Sequence, residues 1–248
     1  MRILVINPNT TESMTKAIDE AARAVAGPDT EITTVQPHRG PRSIEGHVEE
    51  AAAATATLEL LVEHRNAYDA YVIACAGDPG VAAARELVDG PVIGIAEAAM
   101  HMACLVAHRF SVVSVVDRIK PMLADMVQLS GLAPRCASIR ATGLGVLEIE
   151  RDMDEALRRL VEQGRRAVSE DGAEAIVLGC AGMGPLDKRL ERELGVPVLD
   201  GCACAVTLAE ACHRYGLTTS KASAYRSPEP KEYLNWPSFG VLASPAGG

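Results

Sequence analysis

The chain has 248 residues, 48% of them hydrophobic, 23% charged and 3% aromatic, with a formal net charge of −9. That length and apolar content can bury one large core or two smaller ones, and the acidic balance with so few rings excludes the basic, stacking surface of a nucleic-acid partner. No stretch approaches the roughly 18 uninterrupted apolar residues of a membrane helix, and the apolar run in the opening MRILVINPNTT is too short for a signal peptide. A cytoplasmic protein with no membrane partner is expected, and its seven cysteines, odd in number and set in apolar surroundings, fit reduced thiols better than a disulfide framework.

Arg2-Ile-Leu-Val-Ile6 reads as a short buried strand, and Asn7-Pro-Asn-Thr-Thr11 as a turn whose side chains can cap a helix. In that helix Met14, Ile18, Ala21 or Ala22 and Val25 recur on one face until Gly27-Pro28 ends it. A second strand at residues 31–35 leads into a Pro/Gly-rich loop, residues 36–46, that can reach over a site. A long Ala/Glu/Leu-rich helix over residues 47–65 precedes Ala70-Tyr-Val-Ile-Ala-Cys75-Ala-Gly-Asp78-Pro79-Gly80. This apolar run stopping at Gly and Pro predicts a buried strand entering a tight turn. Cys75 then sits at the strand's carboxyl end, where open α/β sheets bind ligands. Asp78 as N-cap and Pro79 at the first helical position suit a short helix near residues 81–88. Pro91-Val-Ile-Gly-Ile95 completes four strands alternating with helices, the pattern of a parallel sheet.

The second half repeats this plan. Arg109-Phe-Ser-Val-Val-Ser114 lies 107 residues after its counterpart at Arg2, Pro197-Val-Leu lies 106 after Pro91, and Glu174-Ala-Ile-Val-Leu-Gly-Cys180-Ala-Gly-Met183 carries its cysteine 105 after Cys75. A strand near residues 135–140 and an amphipathic helix over residues 152–169 fill the remaining places. Two pseudo-twofold-related α/β/α lobes are expected, each around a mostly four-stranded parallel sheet, with the active site in the cleft between them. Their limits are residues 1–97 with 206–248, and residues 98–205. Under that symmetry Cys75 and Cys180 face each other, with Asn7 and Ser114 in matching positions nearby, and one planar carbon meets a thiol on each side.

Met1-Arg-Ile-Leu-Val-Ile-Asn-Pro-Asn-Thr10, Gly40-Pro-Arg-Ser-Ile-Glu-Gly46, Cys75-Ala-Gly-Asp-Pro-Gly80, Pro91-Val-Ile-Gly-Ile95 and Leu178-Gly-Cys-Ala-Gly-Met183 together resemble the aspartate/glutamate/hydantoin racemase superfamily, on its hydantoin and allantoin racemase branch. The resemblance covers nearly the whole chain. It implies an isomerase that needs no metal or cofactor, acts on a small hydantoin or related cyclic ureide, and uses Cys75 and Cys180 as an acid/base pair; assembly as a homo-oligomer is also expected. The chemistry is physically reasonable. A thiol of ordinary pKa about 8.5 can be lowered toward neutrality by a helix N-terminus and backbone N–H groups. One thiolate then removes the Cα proton while the opposite thiol returns one to the other face.

The carbanion spreads onto adjacent carbonyls, so donors must face that oxygen. Candidates are the turn Ala76, Gly77, Asp78, Pro79 and Gly80 and the pair Ala181 and Gly182 through their backbone, with Asn7 and Ser114 as side-chain donors. Asn7 is equally a turn former. Ser43 and Ile44 either line the pocket or cap the next helix. Two stretches depart from the branch pattern: Ala76 stands where a large aromatic is usual, and Ser114-Val115 where a pair of threonines is usual. Both alter pocket size and polarity and point to a larger or more apolar 5-substituent.

Cys104 and Cys136 read as core packing. Cys202-Ala-Cys204 with Cys212-His213 lacks the usual C-x₂₋₄-C ligand spacing and reads as a core-facing helix rather than a zinc site. His38, His47, His101, His108 and His213 read as surface or packing residues. Two other functions stay open: a related lyase or isomerase of the malonate decarboxylase or maleate isomerase type, disfavoured in the decarboxylase case because two cysteines are present, and a non-catalytic two-lobed protein closing over a small ligand.

Overall fold

The computed structural model describes residues 1–243. The first sheet is built around β1 (Arg2–Ile6), whose last four residues are fully buried. β1 pairs in parallel with β2 (Glu31–Val35) on one side and β3 (Ala70–Ile73) on the other, and β3 pairs with β4 (Val92–Gly94), giving the order β2-β1-β3-β4. The second sheet repeats it as β6-β5-β7-β8, from β5 (Phe110–Ser114), β6 (Cys136–Ala141), β7 (Ala175–Leu178) and β8 (Val198–Leu199). Strands covered on both faces need no polar alternation, which is why β3 and β7 read as unbroken apolar runs in the sequence. The fourth strand is shorter than the segment from Pro91 to Ile95 suggests: Ile95 already begins a helix.

Helices flank both sheets: α1 (Glu12–Val25), α2 (His47–Glu63) and α3 (Val81–Leu87) in the first half, and α5 (Lys120–Leu129), α6 (Val146–Arg151), α7 (Met153–Asp171) and α8 (Asp187–Leu194) in the second. The remaining two cross between lobes. α4 (Ile95–Val106) follows β4 yet packs on β7, with further contacts to β5 and β8 of the second sheet; α9 (Gly201–Tyr215) follows β8 yet packs on α1, β3 and β4 of the first. The expected lobe limits at residues 97 and 206 fall within these two helices.

Small residues make the crossing possible. The buried face of α4 includes Ala96, Ala98, Ala99 and Ala103, and that of α9 includes Gly201, Cys202, Cys204, Ala205 and Ala209. The two C-x-C cysteines therefore serve as small apolar fillers where the helices approach. One apolar cluster runs through both sheets and both crossing helices, and a second fills the outer face of the first sheet beneath α2, α3 and the C-terminal Phe239 and Leu242. Along that C-terminal segment Lys221 Nζ donates to the carbonyls of Arg85 and Val88, 2.6 and 2.8 Å away, which satisfies the free end of α3.

At Gly201 the start of α9 lies hard against the start of α4, since a Cβ there would lie 2.7 Å from the Ile95 carbonyl oxygen and 2.9 Å from Ile95 Cβ. Neither atom can move without shifting a helix start. Gly201→Ala is expected to destabilise the protein by about 1–3 kcal/mol, the usual cost of overpacking, read as a lowered urea midpoint with an unchanged m-value.

Candidate active site

β3 and β7 each give way to one further laddered residue before the cysteine. Ala74 N–H donates to the Ile6 carbonyl and Gly179 N–H to that of Val113, both at 2.8 Å. Cys75 and Cys180 then follow at equivalent strand ends, and the fold brings both to the wall of one cavity of about 30 Å³. That volume is on the scale of a single water, so the thiols face little free space.

Its wall is largely apolar. Met14 of α1, Ile44 of the long loop, Val115 and Ile119 after β5, and Val146 at the start of α6 surround the thiols. The loop also spans the cleft: Glu45 Oε1 accepts the Val146 N–H at 2.8 Å, which ties the first lobe to the N-terminus of a second-lobe helix. A larger cavity of about 590 Å³ lies between α2, α3 and the C-terminal segment, and neither thiol lines it.

The electrostatics run opposite to the expected lowering of the thiols. Cys180 is buried and Cys75 retains a little exposure, yet both sulfurs sit in the apolar enclosure. Burial pushes the Cys75 thiol up to about 12; the Gly77 N–H pulls it the other way, while the Cys180, Asp78 and Glu50 charges add to the rise. Burial likewise pushes Cys180 up to about 11 against the N–H groups of Gly182 and Met183, with Glu45 adding to the rise. At both sulfurs desolvation outweighs the local N–H donors. α3 starts only at Val81, and Cys180 is followed by the single 3-10 segment Ala181–Leu186. The resting pair is therefore neutral and protonated.

Of the residues expected around the site, Ile44, Ala76, Gly77, Val115 and Ala181 line the cavity with the two thiols; Asn7, Ser43, Asp78, Pro79, Gly80, Ser114 and Gly182 do not. Asn7 is fully buried, and its Nδ2 donates to Asn9 Oδ1 at 3.0 Å and Thr15 Oγ1 at 2.9 Å, so it fastens the turn. Asn9 is the residue that reaches the wall. Ser114 Oγ is occupied in donating to the Gly179 carbonyl at 2.7 Å. The repeat contained a signal for Met14 and Ile119, which follow the first strand of their respective halves. Asn9 lay one step beyond Asn7 in the same turn.

Asp78 departs from its expected place as the cap of α3. The N-cap there is Gly80, at φ +80, and the Asp78 carboxylate instead accepts the Ala96 and Glu97 N–H groups at 3.1 and 2.9 Å, capping α4. With φ +44 its backbone turns its side chain away from the nearer helix and toward the crossing one.

Among the described residues no group of three or more His, Cys, Asp or Glu is arranged to hold a metal ion, and no helix is long and apolar enough to cross a membrane.

The sequence profile of the Asp/Glu/Hydantoin racemase family matches residues 3–209. A hydantoin racemase of Pseudomonas sp. strain NS671 is 49% identical over 94% of this chain and 94% of its own length, and one from Paenarthrobacter aurescens is 46% identical over 94% and 100%. The solved allantoin racemase from Klebsiella pneumoniae superposes with a TM-score of 0.93 at 48% identity, covering 98% of both chains. A doubled parallel sheet with a thiol at each equivalent strand end, matched along nearly its whole length by these relatives, places the chain in the Asp/Glu/hydantoin racemase family.

Proposed function

We propose that this enzyme inverts the C5 stereocentre of 5-substituted hydantoins or of allantoin, with Cys75 and Cys180 as the two bases. The observation that carries the reading is the pair of thiols, one from each half of the repeat, on the wall of one small apolar cavity. The named activities of the relatives support the substrate class. A thiolate on one side takes the C5 proton, the electron pair spreads onto the adjacent ring carbonyl, and the opposite S–H gives its proton to the other face. The first sulfur ends protonated and the second as thiolate, so the roles reverse for the other enantiomer.

Two features of the resting site bear on this chemistry. A cavity of about 30 Å³ cannot hold a five-membered ureide ring, so the wall must part to admit substrate. We assign that movement to the loop carrying Ile44 and Glu45, where the Glu45 carboxylate accepts the Val146 N–H across the cleft. Before abstraction one thiol of the neutral pair gives its proton to bulk water while the wall is open, and substrate N–H groups, with the backbone donors of Gly77, Gly182 and Met183, stabilise the thiolate left behind. A lone-thiol decarboxylase chemistry leaves the second sulfur without a role, and an inert binding cleft leaves both.

Cys75→Ala and Cys180→Ala are each expected to lower racemisation by more than the roughly 10² to 10⁴-fold carried by one acid/base group, because abstraction and return both fail. In deuterated water each variant keeps exchange on the face of its surviving thiol, so the two prefer opposite enantiomers. NMR for deuterium uptake and chiral chromatography for inversion read both, and near-normal racemisation by either variant would rule out the pair.

Ala76 borders the cavity where a ring would fill it. Ala76→Phe is expected to lower kcat/KM for a 5-benzyl hydantoin relative to a 5-methyl one by about 10-fold or more, the scale of discrimination an apolar pocket gives. An unchanged ratio in a polarimetric assay would show that the 5-substituent lies elsewhere.

A further inference from the structure

Each half of the molecule encloses a carboxylate outside the cavity, and the sequence writes the two in opposite order. The N-cap of the crossing helix is Gly94 in the first half and Asp200 in the second, and the two share a backbone conformation: φ −80 and ψ 143 at Gly94, φ −80 and ψ 125 at Asp200. Asp200 caps its own helix by accepting the Cys202 and Ala203 N–H groups at 3.2 and 3.1 Å. Gly94 has no side chain to do so. The carboxylate comes instead from Asp78, on the turn that carries Cys75.

The spaces match as well. A Cβ on Gly94 would fall 2.2 Å from the Asp78 carboxyl carbon, and a Cβ on Gly184, in the Cys180 turn, would fall 3.0 Å from Asp200 Oδ1. Asp and Gly have traded places around one carboxylate position, filled from the thiol turn in one half and from the helix in the other.

The first arrangement is the less comfortable one. Asp78 sits at φ +44, in the left-handed region that disfavours a residue with a Cβ, whereas the second half achieves the same cap without that conformation. Such strain persists where the surroundings hold it for a purpose. What the first arrangement adds is a tether. Asp78 N–H donates to the Cys75 carbonyl at 2.9 Å, so thiol and carboxylate belong to one tight turn; the carboxylate grips the first turn of α4, and α4 packs on β7, the strand that delivers Cys180.

We infer that Asp78 is a positioning residue: it fastens the Cys75 turn to α4 and so fixes that thiol relative to Cys180. This role rests on the two-thiol reading above. Asp78 does not line the cavity and acts through the turn rather than on substrate.

The test moves the carboxylate to the place the second half uses. Asp78→Gly combined with Gly94→Asp keeps the cap on α4, removes the left-handed aspartate and cuts the tether. The double variant is expected to fold with an unchanged or higher thermal midpoint. In the Cys180→Ala background, where only Cys75 works, its C5 deuterium exchange falls about 10²-fold, the cost of an ångström-scale misplacement, with KM little changed. In the Cys75→Ala background, exchange by Cys180 is unaffected. Exchange retained on the Cys75 face, or lost equally on both faces, overturns the role of Asp78 alone. Absence of exchange in both single-thiol variants before any change at position 78 overturns the two-thiol reading and this role with it. If the double variant does not fold, Asp78→Asn decides, since it keeps the size but offers one acceptor to two N–H donors: loss confined to the Cys75 face supports the tether, and no face-selective loss overturns it.

Discussion

The exchange of α4 and α9 between the two sheets is the constraint on which the site depends. Each helix leaves the edge strand of its own lobe and backs the strand that carries the opposite thiol, α4 on β7 and α9 on β3. Their close passage at Gly201 and Ile95 fixes the lobes against each other. A cleft between two independently hinged lobes would let the thiols drift apart. Here the distance between them is set by close-packed small side chains, which have few alternative arrangements.

That rigidity has an electrostatic consequence. Packing the strand ends against Met14, Ile44, Val115, Ile119 and Val146 leaves space for little more than a water, and in such surroundings a thiol holds its proton tightly, as the upward shifts at Cys75 and Cys180 describe. Two neutral S–H groups are a stable resting state. In the proposed mechanism they become an acid and a base once one proton has left to bulk water and polarity has entered with the substrate, which links opening of the loop to activation of the pair. The same enclosure keeps bulk water from the carbanion.

Much of this was legible in the sequence because a parallel sheet writes its strands as unbroken apolar runs, and because the chain writes the unit twice. The two parallel sheets, the helices between strands and the placing of Cys75 and Cys180 at strand ends all follow from that repeat, whereas the order of the strands within each sheet does not. What was not legible were contacts between segments far apart in the chain. Asp78 before Pro79 looks like a cap for the helix beside it, and only the crossing of α4 brings the Ala96 and Glu97 N–H groups within its reach. Asn7 looks like a donor, but its bonds to Asn9 and Thr15 are spent on the turn, leaving Asn9 at the wall. The expected lowering of the thiols assumed an α-helix start beside each sulfur, whereas α3 begins only at Val81 and Cys180 leads into a short 3-10 segment.

The central claim is that a proton leaves one face of C5 through one thiol and arrives on the other face from a second. It is tested most directly with the unmodified enzyme in deuterated water, starting from each pure enantiomer of a slowly exchanging 5-substituted hydantoin and sampling the initial phase. Two opposed thiols predict that the newly formed enantiomer carries deuterium at C5 from the first turnovers while the recovered starting enantiomer remains protiated, and that this holds in both directions. Protium carried over into the product, or deuterium entering the starting enantiomer as fast as product forms, would mean that a single base serves both faces and would contradict the account.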